Sequence, residues 1–563
     1  MEPAYSPRMD HDAPLTPIHV IQGESAFSPF AGKTVKVRGV VTGRGRRGYF
    51  VQSETRNTNP FCSDAIFVFS PRRKAKVGSL VELTGKVLDF VKNEGGRPTT
   101  QLKVLEAIRL EEEGPEVAPI WLNNALLPSD ATKLAQTLNG LEGMLVGIEA
   151  GSVFTAPSNP FGDYVCVPKD VVAARTKGGG ILVDADHPSR WFPGFRIVNR
   201  DSAPKLNVGA TLLEAVTGPL NYRANAFQMV ASSSVKTKNA SVPYSRVSFE
   251  RDEQATTILT LNGFNLDAHL EDPSLVDSDR DVDDDVRYGR FELLAKAIVK
   301  QADSPDIIAL QEIQDNDGAE ITEVVDATDT YNQLARDILF LGGPEYAWAD
   351  IPPAVGEDGG QPGGNIRNGY LYNPARVTIE AGSLRRLGDG SEAYDGSRKP
   401  LMARFKVRSS GASLDVVNVH LASKRHQKSI FAPEQPGVDA REPVRVAQAQ
   451  LIRQALEDRQ DPVDYYVTGD FNDYEFSATL NALCGEDAFN MVYALEPDER
   501  FDYNHRGQLQ VLMHGVVPRS AYDEGRVQYQ ILHGNELTGV KPGADVCKAS
   551  DHAYVIAQIR VHE

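Results

Sequence analysis

Between residues 17 and 112 apolar and polar positions alternate in short runs, VKVRGVVTG, GYFVQS, AIFVFS, SLVELTGKVLDF and TQLKVLEAIRL, separated by Gly, Pro, Asn and Ser clusters. A period of two broken by turn residues predicts strands, and five of them in so short a stretch predict a small β-barrel. Residues 113–250 are less regular. ATKLAQTLNGL suits a helix, GMLVGIEAGSVF, ILVDAD and TLLEAV suit strands, and the polar SSSVKTKNASVPYS reads as a linker. After about residue 253 strands alternate with longer amphipathic helices, the pattern of an α/β domain. TTILTLNGF, PDIIALQEI, NGYLYNP, LDVVNVHLAS and DYYVTGDFND predict strands. RYGRFELLAKAIVKQ places Phe291, Leu294, Ala295 and Ile298 on one helical face, and EPVRVAQAQLIRQAL sets Ala447, Leu451 and Ala455 in register. With 563 residues, too many for one core, the chain is expected to be multidomain and of α+β class. The predicted domains are a β-barrel at 1–112, a second β-rich domain with its linker at 113–250, and an α/β domain at 251–563.

Composition is that of a folded protein, 41% apolar and 24% charged. No run approaches the ~20 apolar residues of a membrane span, so no membrane partner is expected. The first thirty residues lack a basic segment followed by an apolar run, so no signal peptide is expected. The compartment stays open between the cytoplasm and export after loss of a leader. Cys62, Cys166, Cys484 and Cys547 form no C-x-x-C pair, which argues against zinc. Cys484 and Cys547 could pair, or all four could be buried thiols.

The net charge of −18 disfavours a polyanionic partner until its distribution is considered. Residues 1–110 carry 17 Lys and Arg against 10 Asp and Glu, a surplus of +7, which leaves 42 against 67, or −25, for the rest. The positive charge is concentrated in TGRGRRGYF (Arg44, Arg46, Arg47) and SPRRKAK (Arg72, Arg73, Lys74, Lys76). This barrel pattern resembles the oligonucleotide/oligosaccharide-binding (OB) fold, which implies a nucleic-acid-binding surface. The competing reading is a packing module with solvated basic loops.

Polar residues stand within or just after apolar strands at Asn262, Glu312, His420, Asp470, Asn472, Asp551 and His552. Singly, each is explained as a turn, a cap or a structural histidine. In order, however, the words LNGFNL, IIALQEI, VNVHLASK, TGDFND and ASDH resemble the endonuclease/exonuclease/phosphatase superfamily. GGNIRNGYLYNPARV, GDFNDYEFS and QVL-x-H resemble a bacterial branch of it in which basic β-domains precede the catalytic one. The resemblance implies a four-layer α/β sandwich with the site at one end of two sheets. It also implies a phosphodiester hydrolase, because such chemistry needs a cation, a base for water and stabilisation of the leaving oxygen.

By that resemblance Glu312 is the main metal ligand, with Asn262 and Asp551 assisting. The oxygen donors suit Mg²⁺, and Mn²⁺ or Ca²⁺ could take the same place. Asp470 and Asn472 would orient water and phosphate, His420 and His552 would bind phosphate or move protons, and Arg398 would contact phosphate or be an exposed structural arginine. The substrate is expected to be DNA or RNA, gripped partly by Arg44, Arg46, Arg47, Arg72 and Arg73.

Where the branch reads QVLDH, this chain has QVLMH, so Met513 replaces the aspartate that would hold His552. A weakened enzyme is the expectation, and Met513→Asp should raise kcat unless another group, such as Asp502 or a water, already orients His552 or the site has been rebuilt for a different task. A catalytically degenerate nucleic-acid-binding or structural protein, and a phosphatase or phosphodiesterase of small or lipid phosphoesters, are the competing readings. The run Asp277, Asp279, Asp281, Asp283, Asp284 and Asp285 lacks the EF-hand Gly and Glu positions and reads as a solvated acidic loop.

Overall fold

The computed structural model describes residues 14–45, 47–71, 75–92, 96–128, 131–160, 163–171, 175–183, 195–198, 204–223, 226–424, 439–540 and 548–562. Arg46, Arg72, Arg73, Lys74 and Cys547 lie outside the described residues.

The first five strands, Thr34–Gly45, Gly48–Gln52, Ala65–Phe69, Leu80–Phe90 and Thr99–Glu111, close into a barrel in which the fifth lies between the third and the fourth. Its inward positions Val35, Val37, Val51, Ile66, Val68, Leu83 and Leu102 follow the period-two pattern and form its core. A nine-stranded sheet follows, from Ile120–Trp121 to Thr237–Lys238, packed around Phe154, Tyr164, Leu220 and Met229. Polar contacts join the two units. Arg97 pairs with Glu142, both nearly buried, and Glu142 also accepts the Thr100 amide.

The SSSVKTKNASVPYS stretch is more than a linker. Thr237–Lys238 extends the nine-stranded sheet, and the Ser245 amide donates to the His533 carbonyl, because main-chain donors beside a packed surface need partners. Ile181–Leu182 goes further: it runs parallel to Gln508–Gln510 and completes a three-stranded sheet with Tyr503–His505.

The remaining strands form two facing sheets. One has six strands, with Thr256–Leu266 and Ile307–Ile313 parallel at its centre, and the other is built around the parallel pair Ser413–His420 and Tyr465–Asp470. Alternation assigns each side chain to a layer. Ile258, Ile307 and Ala309 face the other sheet, while Leu259, Ile308 and Leu310 pack under Phe291, Leu294, Ile298, Leu334 and Ile338 of the outer helices. On the second sheet Leu414 and Val416 face inward and Val417 and Val419 meet the helix Glu442–Glu457. The layers are therefore helix, sheet, sheet, helix.

Two sequence expectations change here. In Glu442–Glu457 the buried positions are Arg445, Gln448, Ala449, Ile452 and Leu456, not Ala447, Leu451 and Ala455. Hydrophobic periodicity missed this face because two of its members are polar and bonded: Arg445 to Asp473 (2.9 Å), and Gln448 to the Ala422 amide and the Ala393 carbonyl. The acidic run is not wholly solvated either. Asp285 is buried and paired with Arg290. Burial, with Glu271 and Asp285 alongside, pushes Asp267 up to about 9, and burial raises Asp285 to about 7 despite Arg290.

Buried side-chain hydrogen bonds cross between the sheets, among them those of the Tyr370 hydroxyl to the Leu401 and Val416 carbonyls. Thr260 and Thr468 share a hydrogen bond of 2.5 Å, and Gln311 donates to Asn418 at 2.6 Å. Asn418 in turn donates to the carbonyls of Leu310 and Gly369. Asn418→Ala leaves these groups dry and unpaired, and should cost about 1–3 kcal/mol. Urea unfolding followed on the whole chain should show a lower midpoint at unchanged slope.

Candidate active site

The strand registers bring the candidate residues to one end of both sheets. Asn262 pairs with Gln311, next to Glu312; His420 pairs with Asp470; Thr260 pairs with Val555, close after Asp551 and His552; and Leu401, close after Arg398, pairs with Asn418. Residues separated by nearly 300 positions thus share one cluster.

Its centre is Glu312, His420 and Asp470, whose ligand atoms all lie within 4.8 Å of one another. His420 Nε2 is 3.7 Å from both Glu312 Oε1 and Asp470 Oδ2. Asn262 bridges the carboxylates with its amide nitrogen, 3.2 Å from Glu312 and 3.4 Å from Asp470, while its oxygen accepts the Phe264 amide. It therefore presents a donor, not the ligand oxygen expected from sequence. Asn472 gives its main-chain amide to Asp470 and its side-chain nitrogen to the Leu421 carbonyl, which also receives Arg398 Nη2 at 3.1 Å. Arg398 is buried beside the centre, contrary to the reading of an exposed structural arginine. Arg44 and Arg47 are exposed on the barrel, where Arg44 binds the Ala75 carbonyl and so links the two basic loops.

The backbone is bent to aim these groups. Glu312 has φ 54°, Phe264 58°, Asn265 55° and Asn472 51°. Such left-handed conformations cost non-glycine residues on the order of 1 kcal/mol each, and persist where surrounding bonds compel them. Glu312 is held by the Asn265 amide at 3.1 Å, and both central strands shift register at this point.

Charge crowding sets the protonation. Burial, then the neighbouring Asp551, raises the Glu312 carboxyl, with Asn262, Arg398 and His552 opposing. Burial lifts Asp470 to about 6 against the pull of His552. Burial drives His420 down, helped by Arg398 and His552, so it stays neutral. Burial also works against the His552 cation, but Asp551, the Asp502 hydrogen bond and Asp470 outweigh it and bring it up to about 10.

The partner of His552 corrects the sequence expectation. Asp502, fully buried, meets His552 Nδ1 at 2.5 Å, and its other oxygen accepts the amides of Leu512 and Met513. The carboxylate needed to orient the imidazole is present, supplied eleven residues before Met513. The Met513 side chain is buried between the sheets and contributes packing; only its main-chain N–H serves the site. His514 is also structural, bonded to Asn490 and the Asp473 carbonyl. Sequence reading missed the Tyr503 ring, stacked on His552 at 4.8 Å, and Lys548, which burial lowers to about 8 beside Asp551. Neither sits in an apolar strand run, the one signal that exposed the others.

Fold and site define a protein of the two-sheet α/β sandwich class with a carboxylate-rich centre at the strand ends. Residues 286–552 match the Endonuclease/Exonuclease/phosphatase family, whose members are generally phosphoester hydrolases dependent on a divalent metal. Residues 135–240 match a domain of unknown function, DUF8508. No curated protein matches the chain. Similar solved structures include an endonuclease/exonuclease/phosphatase from Bacteroides vulgatus (14% identity, 55% of this chain and 99% of that one, TM-score 0.35). Others are the human Nocturnin catalytic domain with bound sulfate (15%, 55% and 95%, 0.35) and truncated Caenorhabditis elegans TDP2 (14%, 54% and 97%, 0.34).

The geometry reverses the expectation for Met513→Asp. A carboxylate there would be buried among apolar side chains without a cation, lowering stability by on the order of 3 kcal/mol with no gain in kcat. Asp502→Asn should instead lower kcat by roughly 10- to 1,000-fold by releasing His552 from its partner. Thermal unfolding and steady-state rates of the two variants separate these effects, and a faster Met513→Asp enzyme would contradict the assignment of Asp502.

Proposed function

We propose that the chain is a divalent-metal-dependent nuclease, hydrolysing phosphodiester bonds of DNA or RNA. The observation that carries this reading is the convergence of Glu312, His420 and Asp470 next to an imidazole that Asp551 and the hydrogen-bonded Asp502 favour as the cation. The donor set fits a hard cation: carboxylate oxygens from Glu312 and Asp470, with the half-exposed Asp551 within reach of the same centre. Mg²⁺ is the ion proposed, and bound there it would neutralise charge on the phosphoryl oxygens.

The chain's own groups would share the remaining work. Protonated His552 would hydrogen-bond a phosphoryl oxygen through Nε2, since its Nδ1 is engaged by Asp502. Asp470, whose Oδ2 lies 3.7 Å from His552 Nε2 and 3.4 Å from the Asn262 amide nitrogen, would accept the proton of the attacking water. Arg398 and Asn472, anchored on the same Leu421 carbonyl, would steady the phosphate. His420, neutral, would hold the carboxylates apart and donate a hydrogen bond.

The amino-terminal part supports a long polyanion as substrate. Its five strands close in the order first, second, third, fifth, fourth, consistent with an OB-type barrel, and Arg44 and Arg47 are exposed on it. We therefore assign residues 1–112 to nucleic-acid binding, 113–250 to a connecting β-domain and 251–563 to catalysis.

Chelation should abolish hydrolysis of plasmid DNA, single-stranded DNA and RNA, and Glu312→Ala should reduce it by about a hundredfold or more. Full activity in excess chelator would refute the metal assignment. Replacing Arg44, Arg46, Arg47, Arg72 and Arg73 by Ala should weaken nucleic-acid binding and flatten its salt dependence. Hydrolysis of a small bis-ester should be unchanged in that variant; a slower small-substrate rate with unaltered binding would reverse the division of labour.

A further inference from the structure

The buried part of the acidic run forms a second cluster, separate from the residues assigned to catalysis. Asp267, Asp283 and Asp285 bring carboxylate oxygens within 4.8 Å of one another. Glu271 adjoins them: a side chain on Gly318 would meet Glu271 Oε1 at 2.5 Å and Asp267 Oδ1 at 3.0 Å, so both carboxylates crowd one glycine, which has φ +63°. The segments that carry them are joined by a bridge between Leu270 and Asp284.

These carboxylates lack matching positive charge. Arg290 meets Asp285 and is otherwise committed to the carbonyls of Gly263 and Phe264. Asp267 is 1% exposed, and its Oδ2 has no hydrogen-bond partner among the described residues. A buried carboxylate oxygen without a donor is costly, and here it lies amid three other acids.

We propose that Asp267, Glu271, Asp283 and Asp285 form a second cation site that takes Ca²⁺. Ca²⁺ binds six to eight oxygens at about 2.3–2.6 Å, so ligands on opposite sides of it stand about 5 Å apart, whereas Mg²⁺ would draw them to about 4 Å. The oxygens of Asp267, Asp283 and Asp285 lie within 4.8 Å of one another, close enough to share one ion. Four clustered carboxylates suit Ca²⁺, which fills its shell with protein oxygens, better than Mg²⁺, which keeps several waters and takes one or two carboxylates. Asp267 Oδ2 supplies the donor that nothing else engages. The consequence reaches the catalytic end through Arg290, which runs from Asp285 to the Gly263 and Phe264 carbonyls just beyond Asn262. A bound ion would set Asp285, and through Arg290 the bend that follows Asn262.

The test uses the full chain carrying Glu312→Gln, which removes the main donor of the catalytic centre, so its outcome is separate from the nuclease reading. After EDTA treatment and dialysis, Ca²⁺ should bind with one-site calorimetric heat and raise the melting temperature by about 2–5 °C, with Mg²⁺ at equal concentration doing markedly less. Adding Asp267→Asn and Asp283→Asn should remove both responses while raising the melting temperature in EDTA, because the crowding is relieved. If that chain fails to fold, Asp283→Asn alone should weaken Ca²⁺ binding at least tenfold. Absence of Ca²⁺ heat and of a shift in the Glu312→Gln chain, an equal response to Mg²⁺, or a Ca²⁺ response surviving the substitutions would overturn the proposal.

Discussion

Two sheets packed face to face through aliphatic side chains alone can settle in several neighbouring alignments, because dispersion and burial are nearly indifferent to a small slide. The Thr260–Thr468 and Gln311–Asn418 hydrogen bonds remove that freedom, since a slipped alignment would strand four buried polar side chains. Their placement matters as much as their strength. Thr260, Gln311, Asn418 and Thr468 each precede a site residue, Asn262, Glu312, His420 or Asp470, by one or two positions on the same strand. The ties therefore hold the four site residues in one relative position, and the left-handed bends at Glu312 and Asn472 become affordable only on so rigid a base.

The site that results is electrostatically unstable in isolation. Three carboxylates and two imidazoles share a nearly dry space, countered by Arg398 and by the proton that Asp502 helps to keep on His552. The family's general reliance on a divalent cation agrees with this imbalance. The acidic cluster around Asp267 repeats the same condition a short way along the chain. Arg290 connects the two regions through the backbone that follows Asn262.

Asp502 also ties the site to the rest of the molecule. It immediately precedes Tyr503–His505, whose hairpin partner Gln508–Gln510 pairs with Ile181–Leu182 from the middle region of the chain. The Asn504 side chain adds a bond to the Thr155 carbonyl. The residue that orients His552 thus lies next to a small sheet to which the middle region of the chain contributes one strand. The middle region itself is fastened to the barrel by the Arg97–Glu142 pair.

The sequence by itself determined the features that rest on local periodicity and chemistry. Period-two runs located the central strands, the Phe291, Leu294 and Ile298 stripe located a helix, and strand-end polar words named most of the cluster at the sheet ends. What only the tertiary structure decided is whatever depends on partners distant in sequence. Polar burial turned the Glu442–Glu457 helix to a face that hydrophobicity could not reveal, because Arg445 and Gln448 are satisfied by loops elsewhere. The partner of His552 lies fifty residues away in a stretch with no strand signal, so local comparison fastened on Met513 when the carboxylate was Asp502. An acidic run that looked solvated proved partly buried once Asp267 and Glu271 packed against it. A carboxylate's role is set by the dielectric, the donors and the charges around it, and those are supplied by the fold.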